Sequence, residues 1–187
     1  PLPPISVQAL RSAANTFPVG TGVGADNVAP QAFARLSDEA LGALIGIFHL
    51  AEETGAWPAL LDLVLIVLIP KADGGRRPIG LLPTSVRLWM KVRACLVRQW
   101  EADNSNEALY GGAGKGAQRA AWVGAFHAEN AKLTGQKHAQ ALIDLVKAFE
   151  MIPHQELINA AASREYPLKL LRLSLAAYRL QRAVGIN

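Results

Sequence analysis

An aspartate lies inside an apolar run late in the chain, in the stretch LIDLVKAFEMIPH at 142–154. Burying a carboxylate without a partner costs free energy, so Asp144 requires a physical reason. A carboxylate at a strand end is a good ligand for Mg²⁺, and the backbone carbonyl of Leu145 is a second oxygen nearby. Two such ions catalyse nucleotidyl transfer, but they need more than one carboxylate. From spacing alone, an Asp that ends a strand and caps a turn is an equally good interpretation.

A second group of chemically active side chains flanks a glycine-rich turn in LIPKADGGRRPIGLL. Lys71 ends one predicted strand, and Arg76 and Arg77 begin the next. A tight hairpin brings these side chains together. Lysine supplies a point charge and arginine a planar fork, and the two together suit a triphosphate. The alternative is an exposed hairpin tip that binds nothing.

Basic residues are concentrated in one part of the chain. Residues 1–70 hold two basic and six acidic residues, which is a net charge of −4. Since the whole chain has a net charge of +4, residues 71–187 have a net charge of +8. Segment 71–98 holds seven basic residues and one acid. Such a block is typical of a surface that faces nucleic acid, although a solvated helix face has the same composition. The predicted contacts to nucleic acid are Arg76, Arg87, Lys91 and Arg93.

Local patterns predict the elements that must position these residues. Helices are expected at about 6–17, 37–54, 85–102, 117–133, 154–162 and 167–181, and a hairpin is expected from LVLIVLIP and GGRRPIGLL. AQALIDLV, at 139–146, is predicted to form a buried strand that carries Asp144. A lone strand cannot form a stable sheet, and the strand-prone RLQRAVGIN ends the sequence. We therefore expect the chain to be a fragment of a larger domain.

Composition excludes several classes of protein. Hydrophobic residues make up 51% of the chain and charged residues 18%, which predicts a globular rather than a disordered chain. Cys95 is the only cysteine, so a disulfide or a cysteine zinc site is excluded. The longest apolar run, 63–69, is too short to span a bilayer, and no segment is typical of a signal peptide. These features predict an intracellular protein without a membrane partner; its compartment and oligomeric state stay open.

Four stretches in order resemble the reverse transcriptases of non-LTR retroelements and group II introns. GADNVAPQAF resembles their first block, and LVLIVLIPKADGGRRPIGLLPTSVRLWMKV resembles their fingers hairpin and the helix after it. LYGGAGKGAQRAAW resembles the block usually written Gly-Phe-Arg-x-Gly-Arg-Gly. LIDLVKAFEMIPHQELI resembles the first palm motif, Asp-x-x-Lys-Ala-Phe-Asp. The resemblance covers about 22–157, and the second and fourth stretches are its specific parts.

The resemblance implies a role for each matching residue. Asp144 matches the catalytic aspartate, which binds Mg²⁺ or Mn²⁺ together with the carbonyl of Leu145. Lys71 and Arg77 match the residues that hold the incoming triphosphate. Phe149 matches the aromatic that lies under the sugar and excludes a 2′-hydroxyl, which is discrimination by steric clash. The implied partners are an RNA template, a DNA primer and a dNTP.

The implied fold is α+β and helix-rich: the fingers and the beginning of the palm of a right-hand polymerase, with a fingers β-hairpin and an isolated palm strand. Residues 1–133 would be the fingers-like region and 134–187 an incomplete palm. Glu150, Gly112 and Ala113 depart from the family pattern. The Tyr-x-Asp-Asp motif and a thumb are absent from these residues, so the implied RNA-directed DNA polymerase is expected to be inactive as this chain alone. Alternatives are a non-catalytic RNA-binding module and, less well matched because of Phe149, part of an RNA-dependent RNA polymerase.

Overall fold

A computed structural model describes residues 2–112, 114–145 and 151–185 of the chain. The described residues form an α+β, helix-rich fold with a small mixed sheet. Its elements are, in chain order, α1 (Val7–Asn15), α2 (Pro30–Ala34), α3 (Asp38–Thr54), a 3-10 turn (Ala59–Leu61), β1 (Leu63–Pro70), β2 (Arg76–Leu81), α4 (Thr84–Asp103), α5 (Ala117–Thr134), α6 (His154–Ser163), α7 (Leu168–Tyr178) and β3 (Gln181–Val184).

Local signals set most of these boundaries. Ser6 and Ser37 cap α1 and α3, each accepting a hydrogen bond from the backbone N–H three residues on. Gly55 ends α3 in the left-handed conformation at φ 71°, which glycine adopts without steric cost. The helices expected at 85–102, 117–133 and 154–162 are confirmed within a residue or two.

The sheet has the strand order β2-β1-β3. β1 and β2 form the predicted antiparallel hairpin, with Ile69 opposite Arg77 and Pro70 opposite Arg76. β3 pairs with β1 in parallel, Leu63 being opposite Gln181. The helix expected at 167–181 ends earlier, at Tyr178, and β3 follows it. The strand tendency predicted for RLQRAVGIN is therefore confirmed over Gln181–Val184, which pair with β1.

The isolated palm strand predicted at 139–146 is wrong over 139–145, because these residues have no regular secondary structure. Leu142 and Ile143 are 90% and 84% exposed. A strand that is apolar on both faces needs packing partners on both faces. No strand pairs with 139–145 in the part of the chain that the structure describes. Without partners, the backbone of such a run gains no ladder of hydrogen bonds.

The chain divides into two compact units. The first unit comprises Pro1–Trp100 and His154–Asn187, and the second comprises Glu101–Pro153. The main core lies in the first unit, where α1, α3, α4 and α7 contribute fully buried side chains such as Leu10, Phe48, Trp89 and Leu173. Ala131 is the only buried residue among the described residues of the second unit.

No described helix is long and apolar enough to cross a membrane. The division into a fingers-like region 1–133 and a palm start at 134–187 stays a prediction.

Candidate functional site

The tip of the β1–β2 hairpin is built by a short hydrogen-bonded turn. The N–H of Lys71 donates to the carbonyl of Gly75 over 2.8 Å, and the N–H of Gly75 donates to the Asp73 carboxylate over 2.9 Å. Gly74 has φ 82°, a conformation that favours glycine. Lys71, which directly follows β1, and Arg76, which begins β2, therefore flank the turn.

A shallow cavity of about 450 Å³ opens at this tip. Lys71 and Arg77 line it together with Ile69, Ile79 and Asp73. Arg76 is not part of the lining, but it is exposed beside Arg77 on β2. The structure thus brings the two predicted triphosphate-binding residues to one cavity, whose apolar walls come from the two strands.

Helix α4 carries a second set of cations. Lys91 is exposed, and its ammonium lies 5.4 Å from the centre of the Phe17 ring, a cation–π contact. Arg87 is half-buried, and its Nη2 donates to the Thr84 hydroxyl over 2.9 Å. Its Nε is buried without a hydrogen-bond partner among the described residues. Residues 87, 91 and 98 are spaced by four and seven, so Arg87, Lys91 and the exposed Arg98 share one face of α4.

Arg93 does not belong to that face. It is 4% exposed, and its guanidinium pairs with the Glu52 carboxylate through Nε at 2.6 Å and Nη2 at 2.7 Å. Its Nη1 donates to the carbonyl of Pro3, and the Trp89 indole also donates to Glu52. The charge of Arg93 is therefore neutralised inside the core, and its guanidinium is not accessible to a phosphate. Arg93 lies four residues after the buried Trp89, on the same face of α4.

Asp144 lies in the second unit, in the irregular segment 136–145, and its side chain is exposed. Leu145 is 69% exposed. Phe149 lies outside the described residues. Within the described ranges, no three or more His, Cys, Asp or Glu side chains come together to hold a metal ion. Among the predicted site residues, the structure brings Lys71 and Arg77 together at the hairpin tip.

A contact that local patterns do not predict joins two of the stretches named above. The Asp26 carboxylate accepts a hydrogen bond from the backbone N–H of Thr84 over 2.6 Å, across 58 positions of the chain. Thr84 begins α4, so Asp26 satisfies one of the free N–H groups at the start of that helix. Asp26 lies in GADNVAPQAF and Thr84 in the segment that follows the hairpin.

None of the protein-family models searched matches the chain, and no curated protein matches it either.

Proposed function

We propose that the chain is part of an RNA-directed DNA polymerase of the reverse-transcriptase type, comprising the fingers and the beginning of the palm of a right-hand polymerase. The observation that carries the proposal is the shared position of Lys71 and Arg77 on one cavity at the hairpin tip. The resemblance of four ordered stretches supports it, since both residues match the positions that hold a triphosphate in that family.

The hairpin cavity suits a triphosphate for physical reasons. A lysine ammonium and an arginine fork offer several charged donors, which bind phosphate oxygens more strongly than neutral donors do. The volume of about 450 Å³ is in the range of small-molecule sites. Asp73 adds one negative charge, so the lining with Lys71 and Arg77 keeps a net charge of +1. The ligand proposed for this cavity is a dNTP.

The RNA template and DNA primer would be held by cations of the hairpin and of α4. Arg76 is exposed on the hairpin, and Arg87 and Lys91 share a face of α4. Arg93 is excluded from this surface because its guanidinium is buried against Glu52.

The chain alone should not extend a primer. The resemblance assigns metal binding to Asp144 and the Leu145 carbonyl, but nucleotidyl transfer needs further carboxylates, and these 187 residues contain no Tyr-x-Asp-Asp motif. Incubation of the pure chain with an RNA template, a DNA primer and dNTPs, in Mg²⁺ or in Mn²⁺, should give no extended product. Incorporation that remains in the Asp144→Ala variant would show contamination, whereas incorporation lost in that variant would overturn this expectation.

Phe149 provides a test of sugar selection. A ring that fills the space of the 2′-oxygen rejects ribonucleotides by clash, so the chain should bind dNTP more tightly than rNTP. Phe149→Val should reduce that preference roughly tenfold or more, the scale of discrimination by pocket shape. The measurement is the ratio of the two dissociation constants in each variant. An unchanged ratio would leave Phe149 as a structural aromatic and remove the argument against an RNA-dependent RNA polymerase.

A non-catalytic RNA-binding module is the second candidate. The exposed cations of the hairpin and α4 favour it. The two candidates differ in their ligands. A polymerase-type chain binds both RNA and a dNTP at the hairpin, whereas an RNA-binding module binds RNA alone.

The salt dependence of RNA binding tests the surface that both candidates share. Each neutralised phosphate of a single strand contributes about 0.7 to the slope of log affinity against log salt. The double variant Arg76→Ala/Arg77→Ala should therefore lower that slope by roughly 1.4. Arg35→Ala/Arg179→Ala is the matched control, because it removes the same charge from exposed positions outside the proposed surface and should leave the slope unchanged. Equal effects of the two pairs would place the binding surface elsewhere.

A further inference from the structure

Segment 24–28 is seated on the two-residue link between β2 and α4. The Asp26 carboxylate accepts from the N–H of Thr84 over 2.6 Å, and the Thr84 hydroxyl donates to the carbonyl of Val28 over 2.6 Å. Thr84 is fully buried, and so is Pro83 before it. The N–H group at the start of α4 is therefore bound by an aspartate from a loop distant in sequence, and not by a residue that directly precedes the helix.

The approach of this loop leaves no room for a side chain at Gly24. A Cβ atom there would lie 2.5 Å from the carbonyl oxygen of Leu82. Real Cβ atoms do not approach a backbone oxygen so closely, so the contact needs glycine at this position. The loop and the link thus touch backbone to backbone, which fixes their separation more tightly than contact between long side chains would.

Thr84 also contacts Arg87, a cation of the proposed binding surface. Its hydroxyl oxygen accepts from Nη2 of Arg87 over 2.9 Å while its hydrogen is donated to Val28. The guanidinium of Arg87 is therefore bound to Thr84, and Thr84 is bound in turn to Asp26. Loss of Asp26 would release the N–H of Thr84 and loosen the attachment of Arg87.

We propose that Asp26 is a positioning residue, which fixes the direction in which the hairpin leaves α4 and, through Thr84, the orientation of Arg87. The link between Leu81 and Thr84 is only two residues long, so the setting of Thr84 determines how the strand that carries Arg76 and Arg77 meets the helix. We call the contacts of Asp26 and Thr84 the frame. The role of this frame in ligand binding rests on the proposed function, but its role in positioning does not. An acid at the start of a helix is also favourable to the helix dipole.

The geometry can be measured directly, because Cys95 is the only cysteine and is exposed on α4. A second cysteine, Ala72→Cys, would lie at the exposed hairpin tip. With spin labels on both, pulsed electron–electron double resonance should give one narrow distance distribution. Asp26→Ala in this background should abolish the single narrow peak and give a broad distribution. A distribution as narrow as that of the parent, at the same distance, would overturn the proposal.

Matched variants separate positioning from general loss of stability. Ser37→Ala removes a helix cap of the same type at α3, away from the link, and should leave the distance distribution narrow. Asp26→Asn keeps one acceptor oxygen for the N–H of Thr84 and should restore the narrow peak. If Asp26→Ala does not fold, Thr84→Val decides, because it removes the hydroxyl contacts to Val28 and Arg87 while keeping the N–H. A broad distribution in Thr84→Val supports the proposal, and an unchanged one overturns it.

RNA affinity, measured at a temperature at which each variant remains folded, links the frame to the proposed function. Asp26→Ala should weaken RNA binding, Asp26→Asn should rescue it, and Ser37→Ala should not affect it. If the unmodified chain binds no RNA, the proposed function fails while the distance measurement still tests the positioning role. If the chain binds RNA and Asp26→Ala binds equally well with a broadened distance, the frame does not serve binding.

Discussion

The two units of the chain support their functional residues in different ways. In the first unit, the hairpin and α4 adjoin a core that buries Phe48, Trp89 and Leu173. In the second unit, Asp144 lies on an irregular segment, and Ala131 is the only buried residue among those described. The elements that carry the cations therefore adjoin a packed core, whereas the described residues around the carboxylate bury little apolar surface.

The largest expected effect tests whether the first unit depends on its buried ion pair. Arg93→Ala leaves the Glu52 carboxylate buried without its partner and should lower the free energy of unfolding by about 3–5 kcal/mol. Arg98→Ala, an exposed arginine on the same helix, is the control and should change it by less than about 0.5 kcal/mol. The measurement is urea unfolding followed by circular dichroism. Equal effects of the two substitutions would mean that the pair does not support this unit.

A smaller effect is expected from the cap of α3. Ser37→Ala removes the hydroxyl that accepts from the N–H of Ala40 and should cost about 1 kcal/mol. Ser12→Ala, at an exposed position inside α1, removes the same atom without removing a cap and should be neutral or slightly stabilising, since alanine has the higher helix propensity. The same unfolding experiment measures both. A loss in Ser12→Ala as large as that in Ser37→Ala would reject the capping explanation.

The second unit should tolerate loss of large apolar side chains. Trp122 and Phe126 lie one helical turn apart on α5, and they are 77% and 63% exposed. Trp122→Ala and Phe126→Ala should each change the free energy of unfolding by less than about 0.5 kcal/mol. Trp89→Ala, which truncates a tryptophan that is 1% exposed, should cost about 3–5 kcal/mol. A loss above about 2 kcal/mol in either α5 variant would contradict the contrast between the units.

The smallest effect is a gain at the start of α5. Gly116 is its N-cap residue, with extended backbone, no side-chain cap and open space where a Cβ would lie. Gly116→Ser should slow hydrogen exchange at the first amides of α5 and stabilise the helix by a few tenths of a kcal/mol. Gly114→Ser is the control, because φ is 72° there and a side chain would be strained. Faster exchange in Gly116→Ser than in the unmodified chain would contradict the prediction.

Features set by neighbouring residues could be predicted from the sequence. The branched residues of β1 and the glycines of the turn predict the hairpin, and Ser6, Ser37 and Gly55 mark helix ends. The meeting of Lys71 with Arg76 and Arg77 follows from the same local pattern. For this reason the sequence alone predicts that these cations come together.

Features set by distant partners could not be predicted in this way. Arg93 is buried because Glu52 lies against it, although the two are 41 positions apart. Asp26 reaches Thr84 across 58 positions, and β3 pairs with a strand more than 100 residues before it. The strand expected at 139–145 failed for the converse reason: its residues have strand propensity, but strand formation requires a partner. The number of basic residues in 71–98 likewise predicts Arg93 as a surface cation, because such a count does not include its ion pair with Glu52.

The most direct test of the central claim is the binding of a dNTP to the unmodified chain, followed by backbone amide chemical shifts in nuclear magnetic resonance spectra. The proposal predicts that the largest shifts on titration fall within residues 69–79, and that Lys71→Ala or Arg77→Ala greatly weakens the response. Inorganic pyrophosphate should compete for the same site. RNA binding without any dNTP response at the hairpin would favour the RNA-binding module, and dNTP-induced shifts elsewhere, unaffected by Lys71→Ala and Arg77→Ala, would contradict the assignment of the hairpin cavity as the nucleotide site.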